Sequence, residues 1–244
     1  SGGASGHVPS SFRIARSLLS RLEDENTGEI LIDELNTEIP DYRIEETKNL
    51  VSILNNEVVE EFPWKGDMKP STKDNVEGVL RRTWKPAVSI VGVDGMPSTA
   101  NAGNVLRPYT TLQLSMRIPP TASAKKAVRA MKKVLSENIP YDATVELQFE
   151  KAGEGWNAPE SKPWLLEAID KASKEYFGQM ACSMGEGGSI PFMGMLGKQF
   201  PEAQFVITGV LGPQSNAHGP NEFLHISFAK RLTCCISSII ADYK

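Results

Sequence analysis

Over residues 110–118 the chain alternates strictly, with Leu112, Leu114, Met116 and Ile118 on one side and Gln113, Ser115 and Arg117 on the other. A period of two is the mark of a half-buried strand, and it commits this stretch to a sheet with one apolar face. Pro119-Pro120 stops the strand, since proline donates nothing to a ladder. The period then changes to that of a helix over about 123–137, carried by Ala127, Val128, Met131, Val134 and Leu135. Val145, Leu147 and Phe149 alternate again as a further strand. Upstream, residues 87–93 form an apolar run closed by Asp94-Gly95. Before that, Ser10-Ser11 can cap an amphipathic helix bearing Phe12, Ala15, Leu18, Leu19 and Leu22. Helix, strand, strand, helix, strand is the order of a ferredoxin-like βαββαβ unit without its first strand. That strand is usually central, so its loss would leave open ladder edges and an uncovered apolar face.

Asp24-Glu25-Asn26-Thr27-Gly28 is turn chemistry, and residues 29–84 beyond it are polar and acidic, with a helix expected near 43–61. This stretch reads as an insertion covering other parts rather than as core. Gly153-Glu154-Gly155-Trp156-Asn157-Ala158-Pro159 is a break, dividing a domain of residues 1–153 from one of residues 154–244. The second part promises helices at about 161–177 and 191–198, a strand at 204–210 and a last helix from Phe223 to about Asp242. This is α/β material, but one strand makes no complete sheet.

With 244 residues the chain can bury a sizeable core. A net charge of -4, with Lys and Arg scattered, gives no nucleic-acid surface. Cys182, Cys234 and Cys235 are too few for a disulfide framework. The adjacent pair reads as small core residues in a reducing compartment. No apolar run reaches membrane-spanning length and no leader opens the chain, so a cytoplasmic protein is expected.

Two places offer chemistry. Gly185-Glu186-Gly187-Gly188-Ser189-Ile190-Pro191 is a glycine-rich turn ending in a hydroxyl, before a helix, where backbone N–H groups suit an anion. Asn216-Ala217-His218-Gly219-Pro220-Asn221-Glu222 sets an imidazole among small residues after an apolar strand. His218 is either a surface histidine, which spacing alone favours, or a metal ligand. Arg117 is an exposed strand arginine or a bidentate grip on a substrate carboxylate, with little to choose between them. Asn104 is a turn former or an amide offered to a carbonyl oxygen. Ser189 has no histidine base at recognisable spacing, so a serine hydrolase is disfavoured. Glu186 reads as solvated, Glu222 as favouring the positive end of the last helix, and His7 and His225 as structural or solvated. One histidine cannot hold a catalytic metal, and no general base is placed, so no catalytic residue is expected in this chain.

Taken together these segments resemble the dizinc exopeptidases: carnosine dipeptidases, cytosolic non-specific dipeptidases, aminoacylases and succinyl-diaminopimelate desuccinylase. Gly187-Gly188-Ser189-Ile190-Pro191 and Ala217-His218-x-x-Asn221-Glu222 look like that family's carboxyl end. Ser1-Gly2 matches the Ser-Gly of its His-Ser-Gly, Gly103-Asn104-Val105-Leu106 is similar to its Asn-Val-Ile-Pro turn, and Ser115-Met116-Arg117-Ile118-Pro119 to its arginine-bearing strand. Gly185 stands where the dipeptidase branch often has arginine, and Gly219 and Pro220 replace more polar residues. The resemblance implies a lid (dimerisation) domain over 1–153 and the carboxyl-terminal part of a three-layer α/β zinc-peptidase domain over 154–244. It implies that His218 is one ligand of a two-zinc centre, and that Arg117, Asn104, Gly188 and Ser189 hold the substrate's carboxylate and scissile carbonyl. The family's other ligands and its proton-shuttling glutamate lie upstream of the lid. The expectation is therefore a downstream piece of a longer homodimeric enzyme, inactive alone and packed on an upstream fragment, cleaving a dipeptide or N-acyl amino acid. A succinyl-diaminopimelate type of hydrolase, and a non-catalytic dimerisation scaffold, are the competing expectations.

Overall fold

A computed structural model of the chain describes residues 2–150, 152–186 and 191–243. Its elements, in order, are α1 (Ser11–Leu19), α2 (Asp41–Leu54), α3 (Glu57–Glu60), α4 (Asn75–Thr83), β1 (Ala87–Asp94), β2 (Thr111–Arg117), α5 (Ala124–Ser136), α6 (Pro163–Phe177), α7 (Pro191–Gln199) and α8 (Ile226–Ala241). The fold is mixed α/β. It divides into two compact units, one of Ser1–Trp156 with Met184–Gly194, the other of Asn157–Ser183 with Met195–Lys244.

In the first unit β1 and β2 pair antiparallel, from Ala87 opposite Arg117 to Asp94 opposite Thr111, with an irregularity at Val91. Among the described residues these two strands form the sheet. Its apolar face (Val88, Leu114, Met116) packs on a core of Leu18, Leu22, Ile30, Ile32, Leu35, Ala127, Ala130, Met131 and Leu135. Ser10 caps α1 by accepting the Arg13 N–H at 3.2 Å, and Ser123 caps α5 by accepting that of Lys126. The far end of α5 is closed from a distance. Arg21 donates to the carbonyls of Val134 at 3.2 Å, Glu137 at 2.6 Å and Asn138 at 2.6 Å, which the helix leaves without internal partners.

Two expectations about this unit need correcting. The acidic stretch is not only a cover: Ile30, Ile32 and Leu35 are at most 4 % exposed and belong to the core. Asp24 explains how they get there. Its carboxylate accepts the N–H groups of Asn26 and Thr27, which hold it below the usual carboxylate range, and the turn folds residues 29–31 back onto Leu22. Residues 143–150 are not a ladder strand either. Val145 and Leu147 dock on the core by their side chains, without strand pairing. Ile90 and Val93 accordingly remain more than half exposed along the hairpin.

The rest of the acidic stretch builds a second, smaller core of Leu50, Val58 and Val79, where α2, α3 and α4 meet. Asp74 caps α4, accepting from Val76 and Glu77. Glu77 then accepts from Lys85 Nζ and from Arg81 Nε, each at 2.8 Å, and Arg81 reaches on to the Thr27 carbonyl. Burial pushes the Glu77 carboxyl up, but the hydrogen bonds and charges of Lys85 and Arg81 together outweigh it, so it titrates below 4.5. A depressed folded value means stability fully present above 4.5 and lost as pH falls through the folded value. Glu77→Gln should therefore lessen the loss of stability between pH 7 and pH 3 by about 0.5–1 kcal/mol, measured by urea unfolding at the two pH values.

In the second unit α6 and α8 pack through Leu165, Ala168, Ala172, Cys235 and Ile239. Pro163 opens α6 and Gly178, at φ 81°, closes it in the left-handed conformation. Cys235 is core, its thiol 3.4 Å from the Ala172 carbonyl and pushed up by burial. Cys234 is exposed, contrary to expectation, because neighbouring helical residues point about 100° apart. The strand expected at 204–210 does not form among the described residues, and Val206, Ile207 and Val210 are exposed there. No described helix is long and apolar enough to cross a membrane.

Candidate functional site

Arg117 is the last residue of β2 and is exposed, on the face opposite Leu114 and Met116. That polar face also carries Gln113 and Ser115, with Ser89 directly across from Ser115. Strand alternation thus keeps Arg117 off the core, on the polar face of the strand. Asn104 lies in the connection over 95–110. The Val105 N–H donates to the Gly103 carbonyl at 2.8 Å, a three-residue turn that leaves Asn104 exposed at its apex. The connection enters β2 at Thr111, whereas Arg117 is at the far end, about 20 Å along a seven-residue strand.

His218 belongs to the second unit, at the tip of a braced loop. Ser215 is buried at its root, its hydroxyl donating to the Leu211 and Gly212 carbonyls at 2.8 and 2.9 Å. Phe223 N–H donates back to the Ser215 carbonyl at 3.1 Å, and Gly219 N–H to that of Asn216 at 2.9 Å. Asn216 Nδ2 donates to the Pro220 carbonyl at 2.7 Å, and a Cβ on Gly219 would stand 2.5 Å from that amide. Glycine at 219 therefore suits this loop, while Pro220 contributes its backbone carbonyl. Gln214, Asn216, His218 and Asn221 all have φ between 52° and 60° or, for His218, 62°. Such a concentration of left-handed residues is strain held by the surrounding bonds. Sequence reasoning missed it; the two asparagines, which tolerate this conformation, were the signal.

The imidazole itself is exposed, so packing does not account for it. Glu222 does not serve the last helix, contrary to expectation. Its carboxylate accepts the His218 backbone N–H at 2.5 Å, and α8 begins only at Ile226, with no acidic residue in its first turn. His225 is the cap instead, its Nδ1 accepting the Phe228 N–H at 3.2 Å.

Gly188 and Ser189 lie outside the described residues. The turn before them begins in the first unit, where a Cβ on Gly185 would come 3.0 Å from Thr83 Cβ. A side chain at position 185 would need Thr83 to give way by a few tenths of an ångström. Glu186 is exposed. Among the described residues no three His, Cys, Asp or Glu side chains come together as a metal site.

A family model described as a peptidase dimerisation domain, of the M20 group, matches residues 1–143. The cysteinylglycine-S-conjugate dipeptidase of Corynebacterium striatum is 28 % identical over 153 residues, 60 % of this chain and 33 % of its own. Three solved structures share the fold. The dipeptidase Dug1p of Saccharomyces cerevisiae has a TM-score of 0.67 at 22 % identity, covering 99 % of this chain and 50 % of its own. An M20 family metallo-carboxypeptidase of Sulfolobus solfataricus has 0.68 at 17 %, covering 98 % and 54 %. Human carnosine dipeptidase 1 has 0.61 at 18 %, covering 99 % and 50 %. The chain thus spans a third of that curated relative's length and about half that of each solved structure.

Proposed function

Because the chain belongs to the M20 peptidase family, whose dimerisation domain makes up its first 143 residues, we propose that it works as part of a zinc-dependent dipeptidase. The family match carries this reading, and the likeness to a cysteinylglycine-S-conjugate dipeptidase over 60 % of the chain supports it. The reaction is hydrolysis of an amide bond beside a free carboxylate. Residues 1–153 act as a lid of ferredoxin-like plan through which two copies pair, and 154–244 return to the catalytic domain. The chain spans about half the length of each of these solved structures, and in this reading the remaining ligands are supplied by other residues of the full-length enzyme.

Each residue has one task in this reading. Arg117 clamps the substrate carboxylate with two parallel hydrogen bonds, and Asn104 donates its amide N–H to the scissile carbonyl oxygen. Gly188 and Ser189 hold the same end of the substrate through a backbone N–H and a hydroxyl. His218 supplies one imidazole ligand. Bound zinc would add Lewis acidity toward the amide. An N-acyl amino acid presents the same carboxylate and would be gripped in the same way.

Arg117→Ala in the full-length enzyme should raise KM for dipeptides roughly 30- to 300-fold, with kcat changed only a few-fold. Arg117→Lys should recover little, since an ammonium cannot make the paired contact. Wild-type and Arg117→Ala enzymes should treat a dipeptide amide alike; an unchanged KM for the free dipeptide would remove Arg117 from the site.

A further inference from the structure

Cations that lie scattered along the sequence are gathered by the fold. α1 and α5 both pack on the apolar side of the hairpin, sharing the main core, and neither helix bears an acidic residue. Arg13 and Arg16 are exposed on α1, and Lys125, Lys126, Arg129, Lys132 and Lys133 on α5. Among the described residues none of them enters an ion pair. The chain as a whole has a net charge of -4, so these two helices run against its balance.

The pattern does little for the helices themselves. Steps of three and four set Arg129 beside Lys125, Lys132 and Lys133, where like charges repel. Lys125 and Lys126 stand in the first turn of α5, at its positive end, where cations are disfavoured. Glu154 answers that end instead, accepting the Ala124 N–H at 3.1 Å. On the α1 side, Arg13, Arg16, Ser17 and Ser20 line an open cavity of about 770 Å³ with Tyr141 and one acid, Glu25. Tyr141 is 64 % exposed on left-handed backbone at φ 58°, and Phe12, in the first turn of α1, is 44 % exposed.

We propose that these two helices dock the protein on an anionic lipid surface, with headgroups over α5 and in the α1 cavity, and with Phe12 and Tyr141 entering the interface. The residue types favour lipid over other polyanions. α5 carries no aromatic ring on which a base could stack, and no Asn or Gln to read a base edge. Four of its five cations are lysines, point charges that suit a mobile headgroup layer better than a fixed two-bonded partner. Exposed rings beside the cations suit a membrane interface, where one end of the ring is apolar and the other wet. Docking of this kind is peripheral and needs no spanning helix.

The test is co-sedimentation of the full-length protein with vesicles of phosphatidylcholine, alone or mixed with phosphatidylserine. Binding to the mixed vesicles should exceed binding to the neutral ones about 10-fold or more. It should disappear as salt rises from about 0.1 M to about 1 M, where the screening length falls to about 3 Å. Arg129→Gln with Lys132→Gln should weaken binding about 10- to 25-fold, at roughly fivefold for each cation lost. The same double variant should keep the wild-type unfolding midpoint, so that lost binding is not lost fold. Phe12→Ser should weaken vesicle binding about 3- to 10-fold and leave binding to soluble polyglutamate unchanged, since only a lipid interface takes up the ring. Equal binding to the two kinds of vesicle overturns the proposal, as does tighter binding to a single-stranded oligonucleotide than to the mixed vesicles. A smaller sedimenting mass for the lipid-free double variant than for the wild type would assign these helices to a second copy, and overturns it too.

Discussion

Replacing His218 by Asn in the full-length enzyme should abolish turnover, by about 10³-fold or more, and lower bound zinc below the wild-type stoichiometry. Asparagine is the informative substitute. It tolerates the left-handed conformation that His218 adopts at φ 62°, so the backbone of the loop is kept. The bonds that brace the loop come from Ser215, Asn216, Gly219, Phe223 and the His218 backbone N–H, none of which the substitution removes. The unfolding temperature should move by no more than about 2 °C. Retained turnover with normal metal content would take His218 out of the centre. Loss of turnover with full metal content would leave it near the substrate but not on the metal.

The largest effect on stability is expected at Leu35, which has no solvent exposure and sits in the main core, in a short turn packed against α5. Leu35→Ala should cost about 2–5 kcal/mol, from lost apolar burial and the cavity left behind. Leu31, four residues before it, is 54 % exposed, and Leu31→Ala should cost less than about 0.5 kcal/mol. Guanidinium unfolding of the two variants beside the wild type separates them. Equal midpoints would mean that residues 29–35 only cover the core.

That contrast shows where the chain could and could not be read. Strict alternation over 111–117 and the spacing of Ala127, Met131 and Leu135 announced β2 and α5 because each face meets one environment. Ser10 and Ser123 announced where helices start, by the hydrogen bond each makes. Leu35 escaped notice because three apolar residues among acidic neighbours look like surface until the Asp24 turn folds them inward. Val145 and Leu147 misled in the other direction: a period of two reports which way side chains point, not whether the backbone has a partner. Of the candidate site, the sequence could name Asn104, Arg117 and His218 only as candidates. The strained loop that presents His218, and the close approach of Thr83 to Gly185, depend on neighbours distant in sequence or on backbone angles.

The Arg21 clamp on the end of α5 has a bearing on how such a chain varies. It joins positions 113 to 117 apart, so everything between them, hairpin and acidic helices alike, is a closed excursion returning to one fixed point. Closing such an excursion becomes harder only with the logarithm of its length, about 0.6 kcal/mol for each doubling. Kin of this chain can therefore lengthen or shorten the excursion by tens of residues at little thermodynamic penalty, provided the guanidinium and the three carbonyls still meet.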